Sequence, residues 1–347
     1  MAIDEAIMNA LKVNMGWRPK EKVGIIVQYW HKDLEEETRK IFEKSKELSQ
    51  KIFRVFMANK VDPTIFFYFP KEARNGVDAT EKLYHDVGLD IPYVDLPSIF
   101  FMPTAYSLSH TNFRKALTER GVRIASMPGF TLEMFEPGGP MSVDYDEIHR
   151  KTEEIGKYLR KSKFVRVNAK NTDMLVAIDP NTVKVSSGIL RKQGDFGNLP
   201  GAEAYVVPVH EGPTNGIFTV PAGWGGDKPL KYDATFFVKD GRIVKIANLE
   251  GKKEAQEYID KEIKPLVFDE PHRSIVAELG IGTNPAINAE YIKEHGWSLL
   301  TAEKIGGSVH FANGSSHGMG GKNESDVHID WVVPNAKIEY KTIVLIE

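Results

Sequence analysis

The sequence predicts an open, mostly parallel α/β domain followed by a strand-rich α+β domain. Up to about residue 145, short apolar runs alternate with segments of helical periodicity, as in a parallel sheet covered by helices. From residue 163 onward, strand-like alternation is broken by Asn-Thr and Pro-Asn turn signals, which indicates antiparallel strands. We therefore place the domain boundary near residue 160, giving domains at 1–160 and 161–347.

The composition indicates a soluble, cytoplasmic, globular protein. The chain has 347 residues, of which 41% are hydrophobic and 27% charged. A net charge of −3 argues against nucleic-acid binding, and no apolar run reaches the length of about 20 residues that a membrane helix needs. The chain has no cysteine, which excludes disulfides and thiolate zinc sites. Together with abundant Lys and Glu, this composition also fits a thermophilic source.

The elements of the first half follow from apolar spacing. Ile3, Ile7 and Leu11 recur at helical spacing, and residues 22–29 form a continuous apolar run, typical of a strand covered on both faces. A further helix should begin at a Ser109 or Thr111 cap and end near residue 120. The other predicted helices cover residues 1–20, 32–51, 71–86 and 143–161, and the predicted strands cover 22–29, 53–58, 64–69, 95–101 and 122–126.

The second half is predicted to consist mainly of strands. Residues 239–241 (Lys-Asp-Gly) form a good hairpin turn between two of them. The predicted strands beyond the alternating 163–185 region are 203–209, 216–220, 232–238, 242–247, 308–312 and 326–333, and the predicted helices are 253–263 and 286–295.

The densest chemistry lies between residues 303 and 330, which contain three of the ten histidines. His328 and Asp330 fall on the same face of a predicted strand, about 7 Å apart along it. A mixed set of imidazole nitrogen and carboxylate oxygen suits a hard or borderline divalent ion. A glycine-rich loop connects this strand to the one that contains His310, so the two strands are expected to lie close together.

Two upstream glutamates are candidates to complete such a site. Glu278 stands among Val276, Leu279 and other apolar residues, where a buried carboxylate without a partner is costly. Glu278 therefore either points to solvent or meets a cation. Glu203 enters a strand just after a Pro-Gly turn and has the same two interpretations. Lys304 either balances the carboxylates or is simply solvated.

Four segments, in order, resemble the signature segments of the thermophilic metallo-aminopeptidases of the aminopeptidase T and aminopeptidase S type. They are NLPGAEAYVVPVHEGPTNG, AELGIGTNP, EKIGGSVHFANG and GGKNESDVHIDWV, and they span roughly residues 198–333. The resemblance implies that two divalent ions, such as zinc, cobalt or manganese, are held by two glutamates, two histidines and an aspartate. Matched segment by segment, these ligands are Glu203, Glu278, His310, His328 and Asp330.

The same resemblance implies removal of N-terminal residues from small peptides by a metal-activated water, with Glu278 as a ligand or base beside that water. It also implies a homodimer. The family carries a carbonyl-polarising tyrosine seven residues after its first ligand histidine, and this chain has His317 there. A histidine can also donate a hydrogen bond to an oxyanion, so His317 is a second catalytic candidate.

Two alternatives stay open. The chain is also similar to the 2,5-dihydroxypyridine 5,6-dioxygenases, a resemblance that implies one iron ion held by a set including His328 and Asp330. The two glutamates at Glu203 and Glu278 favour two ions over one. The other alternative is a metal-stabilised protein that binds a small ligand without catalysis.

Overall fold

The computed structural model describes residues 1–29, 35–70, 72–78, 84–85, 96–226 and 228–341. It divides into two compact units, Met1–Asp146 with Gly188–Gly201, and Glu147–Ser187 with Ala202–Glu347. The first boundary between the units thus lies at residues 146–147, before residue 160. The helix Tyr145–Lys161 belongs mostly to the second unit, because its Leu159 packs into the core of that unit. The predicted fold class, α/β together with α+β, is confirmed.

In chain order, the helices of the described residues are α1 (Ile3–Asn9), α2 (Glu36–Ala58), α3 (Asn112–Glu119), α4 (Tyr145–Lys161), α5 (Lys253–Tyr258), α6 (Lys264–Phe268), α7 (Ala289–His295) and α8 (Leu299–Ala302). The strands are β1 (Val23–Gln28), β2 (Pro63–Tyr68), β3 (Tyr84–His85), β4 (Ile99–Met102), β5 (Arg123–Ser126), β6 (Phe164–Ala169), β7 (Thr172–Ala177), β8 (Lys184–Ser186), β9 (Phe196–Asn198), β10 (Glu203–Val206), β11 (Asn215–Val220), β12 (Ala234–Lys239), β13 (Arg242–Ala247), β14 (Val276–Gly282), β15 (Val309–Gly314), β16 (His328–Val333) and β17 (Lys337–Lys341).

The first unit is built on a sheet of order β3-β2-β1-β4-β5-β9 among the described residues. Neighbouring strands from β2 to β9 pair in parallel, and the short β3 pairs antiparallel at the edge. The helix α2 connects β1 to β2, as a parallel crossover requires. Thr111 caps α3 by accepting a hydrogen bond from the Arg114 backbone N–H, as one of the two predicted caps should.

Two predictions for the first unit were wrong. Residues 53–58 are not a strand but the last turns of α2, because Ile52, Val55 and Phe56 continue its buried stripe at helical spacing. The described residues of the range 71–86 do not form the predicted helix. Residues 72–78 form turns and bends, and residues 84–85 form β3. The rest of that prediction lies outside the described residues.

The second unit contains two antiparallel sheets, as far as the chain is described. One has the order β16-β15-β14-β10-β8 and the other β13-β12-β11-β7-β6-β17. Their facing aromatic side chains pack together, with ring centroids 4.7 Å apart for Phe218 and Phe311 and 4.9 Å apart for Phe236 and Trp331. One face of the sheet β16-β15-β14-β10-β8 therefore packs into the apolar core. Among the described helices, none is long and apolar enough to cross a membrane.

Candidate metal centre

The opposite face of the sheet β16-β15-β14-β10-β8 carries a cluster of carboxylates and histidines. Glu278 on β14 lies opposite Ala312 on β15, which lies opposite Asp330 on β16. Side chains two residues apart on a strand share a face, so His310 lies on this face beside Ala312. Glu203, at the start of β10, joins the same face through its pairing with Gly282. The apolar residues between them point the other way, into the core.

The two histidines each approach several carboxylates. His310 Nε2 lies 3.4 Å from Glu278 Oε1, 3.9 Å from Glu203 Oε2 and 4.0 Å from Asp330 Oδ1. His328 Nε2 lies 3.2 Å from Glu278 Oε2 and 3.4 Å from Asp330 Oδ1. The structure thus brings together all five residues that the resemblance implied as ligands. Glu203, Glu278, His310 and Asp330 are buried, and the His328 side chain is 32% exposed.

This donor set fits a divalent cation. Asp330 Oδ1 is buried and has no hydrogen-bond partner in the described part of the chain, although it faces two imidazoles. Ligand atoms of Glu278, His328 and Asp330 all lie within 4.8 Å of one another. Donors bound to one ion at about 2.1 Å stand roughly 3–4 Å apart, which is the spacing found between the imidazole and carboxylate atoms.

The surroundings of each histidine orient its ring. His328 Nδ1 donates a hydrogen bond to the Ser315 carbonyl oxygen over 2.7 Å, which leaves Nε2 free to face the carboxylates. His310 lies over Gly280, its partner on β14. A Cβ atom at Gly280 would stand 2.0 Å from His310 Nε2, so only glycine leaves room for the ring there.

Lys304 adds a buried positive charge to this face. Its side chain is 1% exposed, and its Nζ lies 2.9 Å from Glu203 Oε1 and 2.7 Å from Glu303 Oε2. Burial disfavours the ammonium, but the charges of Glu203 and Glu303 outweigh that cost and raise the pKa of Lys304. Lys304 is therefore a buried side chain paired with two carboxylates, not the solvated lysine that the sequence also allowed.

The close approach of these groups shifts their pKa values. Burial opposes the charged form of His310, but the Glu278 hydrogen bond and the Asp330 charge raise its pKa to about 9. Burial also opposes the charged form of His328, yet the charge of Asp330 holds its pKa well above the usual value. Burial likewise opposes ionisation of Asp330, but His328 and His310 hold its pKa well below the usual range. A bound cation would compete with protons for the imidazole nitrogens.

Two further residues bear on the chemistry of the cluster, one on its face and one outside it. Tyr205 on β10 shares the face of Glu203, two residues away, and lies opposite Gly280. Burial, assisted by the charges of Glu278 and Glu203, raises the pKa of its phenol. His317 lies instead in the short turn His317–Met319, where its side chain is 69% exposed and 3.3 Å from Glu324. His317 is not part of the carboxylate–imidazole cluster.

Sequence reasoning did not single out Tyr205, Gly280 or Glu303. Tyr205 could have been predicted from its position two residues after Glu203, because residues two apart on a strand share a face. For Gly280, only the pairing of β14 with β15 reveals the ring that lies over it.

The fold and this cluster define a candidate metalloprotein. A family model described as thermophilic metalloprotease (M29) matches residues 139–343, more than half of the chain. The chain belongs to this family, which makes it a metal-dependent peptidase at the family level and implies a divalent metal ion. The carboxylates and imidazoles of the cluster are the residues that would hold such an ion.

Solved structures show the same fold over nearly the whole chain. The 2,5-dihydroxypyridine dioxygenase from Pseudomonas putida KT2440 aligns with a TM-score of 0.69 at 15% identity, covering 97% of this chain and 93% of that one. Wild-type AmpT from Thermus thermophilus aligns with a TM-score of 0.55 at 15% identity, covering 98% and 94%. No curated protein matches the chain. At these identities the structural likeness establishes the fold alone.

Proposed function

We propose that this protein is an aminopeptidase that uses two divalent ions to remove N-terminal residues from small peptides. Family membership supports the peptidase class. The observation that carries the two-ion proposal is the position of Glu278 between two imidazoles. Its Oε1 faces His310 at 3.4 Å and its Oε2 faces His328 at 3.2 Å, so this carboxylate would offer one oxygen to each side of the cluster.

The remaining donors divide between these two sides. Glu203 Oε2 faces His310 at 3.9 Å and would serve the ion on that side. Asp330 Oδ1 lies 3.4 Å from His328 Nε2 and 4.0 Å from His310 Nε2, within reach of both sides. Zinc, cobalt and manganese all accept mixed nitrogen and oxygen ligands of this kind.

In the proposed reaction, bound divalent ions would activate a water molecule and stabilise the negative charge that develops on the peptide carbonyl. Glu278 would act as a ligand that fixes where that water is activated, because its two oxygens face the two imidazoles. Tyr205 stands on the same face with a phenol that can donate a hydrogen bond to the carbonyl oxygen. His317 is the other candidate for that donor, but it would have to leave Glu324 and turn towards the cluster.

The test combines peptide cleavage with elemental analysis. The purified protein should release free amino acids from short peptides that have a free amino terminus, and it should spare the same peptides after N-acetylation. Wild-type protein should carry two divalent ions per chain, and Glu203→Ala should lose one of them. Cleavage of the acetylated peptides at an equal rate would refute the aminopeptidase proposal, and a single ion in wild type would refute the two-ion centre.

A ring-cleaving dioxygenase is the second candidate. The specific observation in its favour is a compact group of one histidine and two carboxylates, whose ligand atoms all lie within 4.8 Å of one another. The group Glu278, His328 and Asp330 alone would then hold one iron ion. Iron at one per chain, with oxygen uptake on addition of 2,5-dihydroxypyridine, would replace the peptidase proposal. Tight metal binding with neither reaction would support a ligand-binding protein instead.

We also propose that the protein forms a homodimer, on the family resemblance of the sequence alone. Light scattering during size-exclusion chromatography measures the mass directly. A mass equal to that of one 39.0 kDa chain at micromolar concentration would refute this proposal.

A further inference from the structure

Lys304 is a buried ammonium in contact with a proposed metal ligand. It follows α8 and precedes β15, and its side chain is 1% exposed. Lysines are almost never this buried unless they are paired, because removing an ammonium from water is costly. Lys304 is paired twice, with Glu203 Oε1 at 2.9 Å and with Glu303 Oε2 at 2.7 Å.

These pairs divide the two oxygens of Glu203 between two positive partners. Oε1 contacts Lys304, and Oε2 faces His310 Nε2 at 3.9 Å, on the side where an ion is proposed. Glu203 can therefore offer that ion only one oxygen while Lys304 holds the other. Glu303 contributes a further carboxyl group, on a side chain that is 17% exposed, and it interacts with Asp330 of the cluster.

We propose that Lys304 is a built-in counter-cation that stabilises Glu203 and Glu303 in the metal-free protein and thereby limits how tightly the ion beside Glu203 binds. The proposal rests on the metal centre of the proposed function, but not on which reaction that centre catalyses.

The reason is electrostatic. Without Lys304, the metal-free site would hold buried carboxylates with too little positive charge, and this repulsion would destabilise the fold. A bound divalent ion is repelled by Lys304 through a medium of low dielectric constant, so removing Lys304 would strengthen ion binding. Linkage connects these two effects, because the stability lost without metal minus the stability lost with saturating metal equals the gain in binding free energy.

The test compares Lys304→Met with wild type in EDTA and in excess Mn²⁺. Lys304→Met should lower Tm in EDTA, and Mn²⁺ should raise its Tm by more than it raises that of wild type. Titration calorimetry should show the ion beside Glu203 bound about tenfold more tightly than in wild type, as removal of a charge near a buried ion predicts. A variant that folds only when Mn²⁺ is present would also support the proposal, because its stability would then depend entirely on the bound ion.

Arg123→Met is the matched control. Arg123 is also a buried cation, is paired with Glu21, and belongs to the first unit. Its loss should lower Tm by the same amount with and without Mn²⁺, because no ion can replace it.

Three outcomes would overturn the proposal. One is Mn²⁺ binding to Lys304→Met that is no tighter than to wild type, and another is a Tm gain no larger than that of wild type. The third is a variant that stays unfolded even with Mn²⁺, because that result would make Lys304 a purely structural residue. A different observation would refute the proposed function: wild-type protein that binds two ions and cleaves no peptide.

Discussion

Replacing Gly280 with alanine should disable the metal centre without removing any of its ligands. The added Cβ would stand 2.0 Å from His310 Nε2, 2.1 Å from Cε1 and 2.8 Å from Cδ2. Carbon contacts are optimal at about 3.5–4.0 Å, so the imidazole must move by roughly 1.5 Å or more. A shift of that size removes Nε2 from its position 3.4 Å from Glu278 Oε1 and 3.9 Å from Glu203 Oε2.

The expected result is a selective loss of the ion on the His310 side. Disturbing the orientation of a metal ligand typically costs about 10–100-fold in affinity, and displacing the ligand itself should reach the upper end of that range. Titration calorimetry and elemental analysis measure the affinity and the stoichiometry. Alanine is otherwise favourable over glycine in a strand by about 0.5–1 kcal/mol, so a general weakening of the fold is not the expected cause.

Gly318→Ala is the matched control for this substitution. A Cβ at Gly318 would meet nothing within 4 Å, so metal binding should remain as in wild type. If Gly280→Ala binds two ions with wild-type affinity, the position assigned to the His310 ring is wrong, and the two-ion arrangement built on it is wrong as well.

Four other expectations concern the cluster and its surroundings. Asp330→Asn should lower the pKa of His328 in metal-free protein, because the Asp330 charge is the main influence that raises it, and an unchanged NMR titration would contradict this. Tyr205→Phe should reduce kcat about 100-fold, the loss typical of one oxyanion donor, with full metal content. His317→Ala should have little effect on kcat, and the reverse ranking of these two variants would assign the donor to His317. Removing the metal with EDTA should lower Tm, and Mn²⁺ should restore the original Tm, because an ion that binds only the folded chain stabilises the fold. A Tm that changes with neither EDTA nor Mn²⁺ would refute the metal centre.

Local patterns accounted for the parts of the site that lie within one strand. His328 and Asp330 share a face because side chains alternate along a strand, and the structure places their Nε2 and Oδ1 atoms 3.4 Å apart. The Thr111 cap and the hairpin between β12 and β13 were likewise readable from the sequence. The resemblance supplied Glu203, Glu278 and His310, which local spacing left open.

Local patterns failed where distant parts of the chain compete. Residues 53–58 are rich enough in apolar side chains for a strand, yet they extend α2 because its buried stripe continues through Val55 and Phe56. Residues 196–198 pair with β5 of the first unit, although the preceding segment Glu147–Ser187 belongs to the second unit. No local periodicity indicates that the chain returns to the first unit here.

The sequence by itself determined the two fold classes, the face shared by His328 and Asp330, and the apolar setting that made Glu278 unusual. Only the tertiary structure decided that Lys304 is a buried cation between Glu203 and Glu303, that His310 lies over Gly280, and that His317 stays on the surface beside Glu324. The physical reason is range. Side-chain alternation acts between residues two positions apart, whereas burial and charge pairing depend on which strands become neighbours, and that is set by the packing of the whole unit.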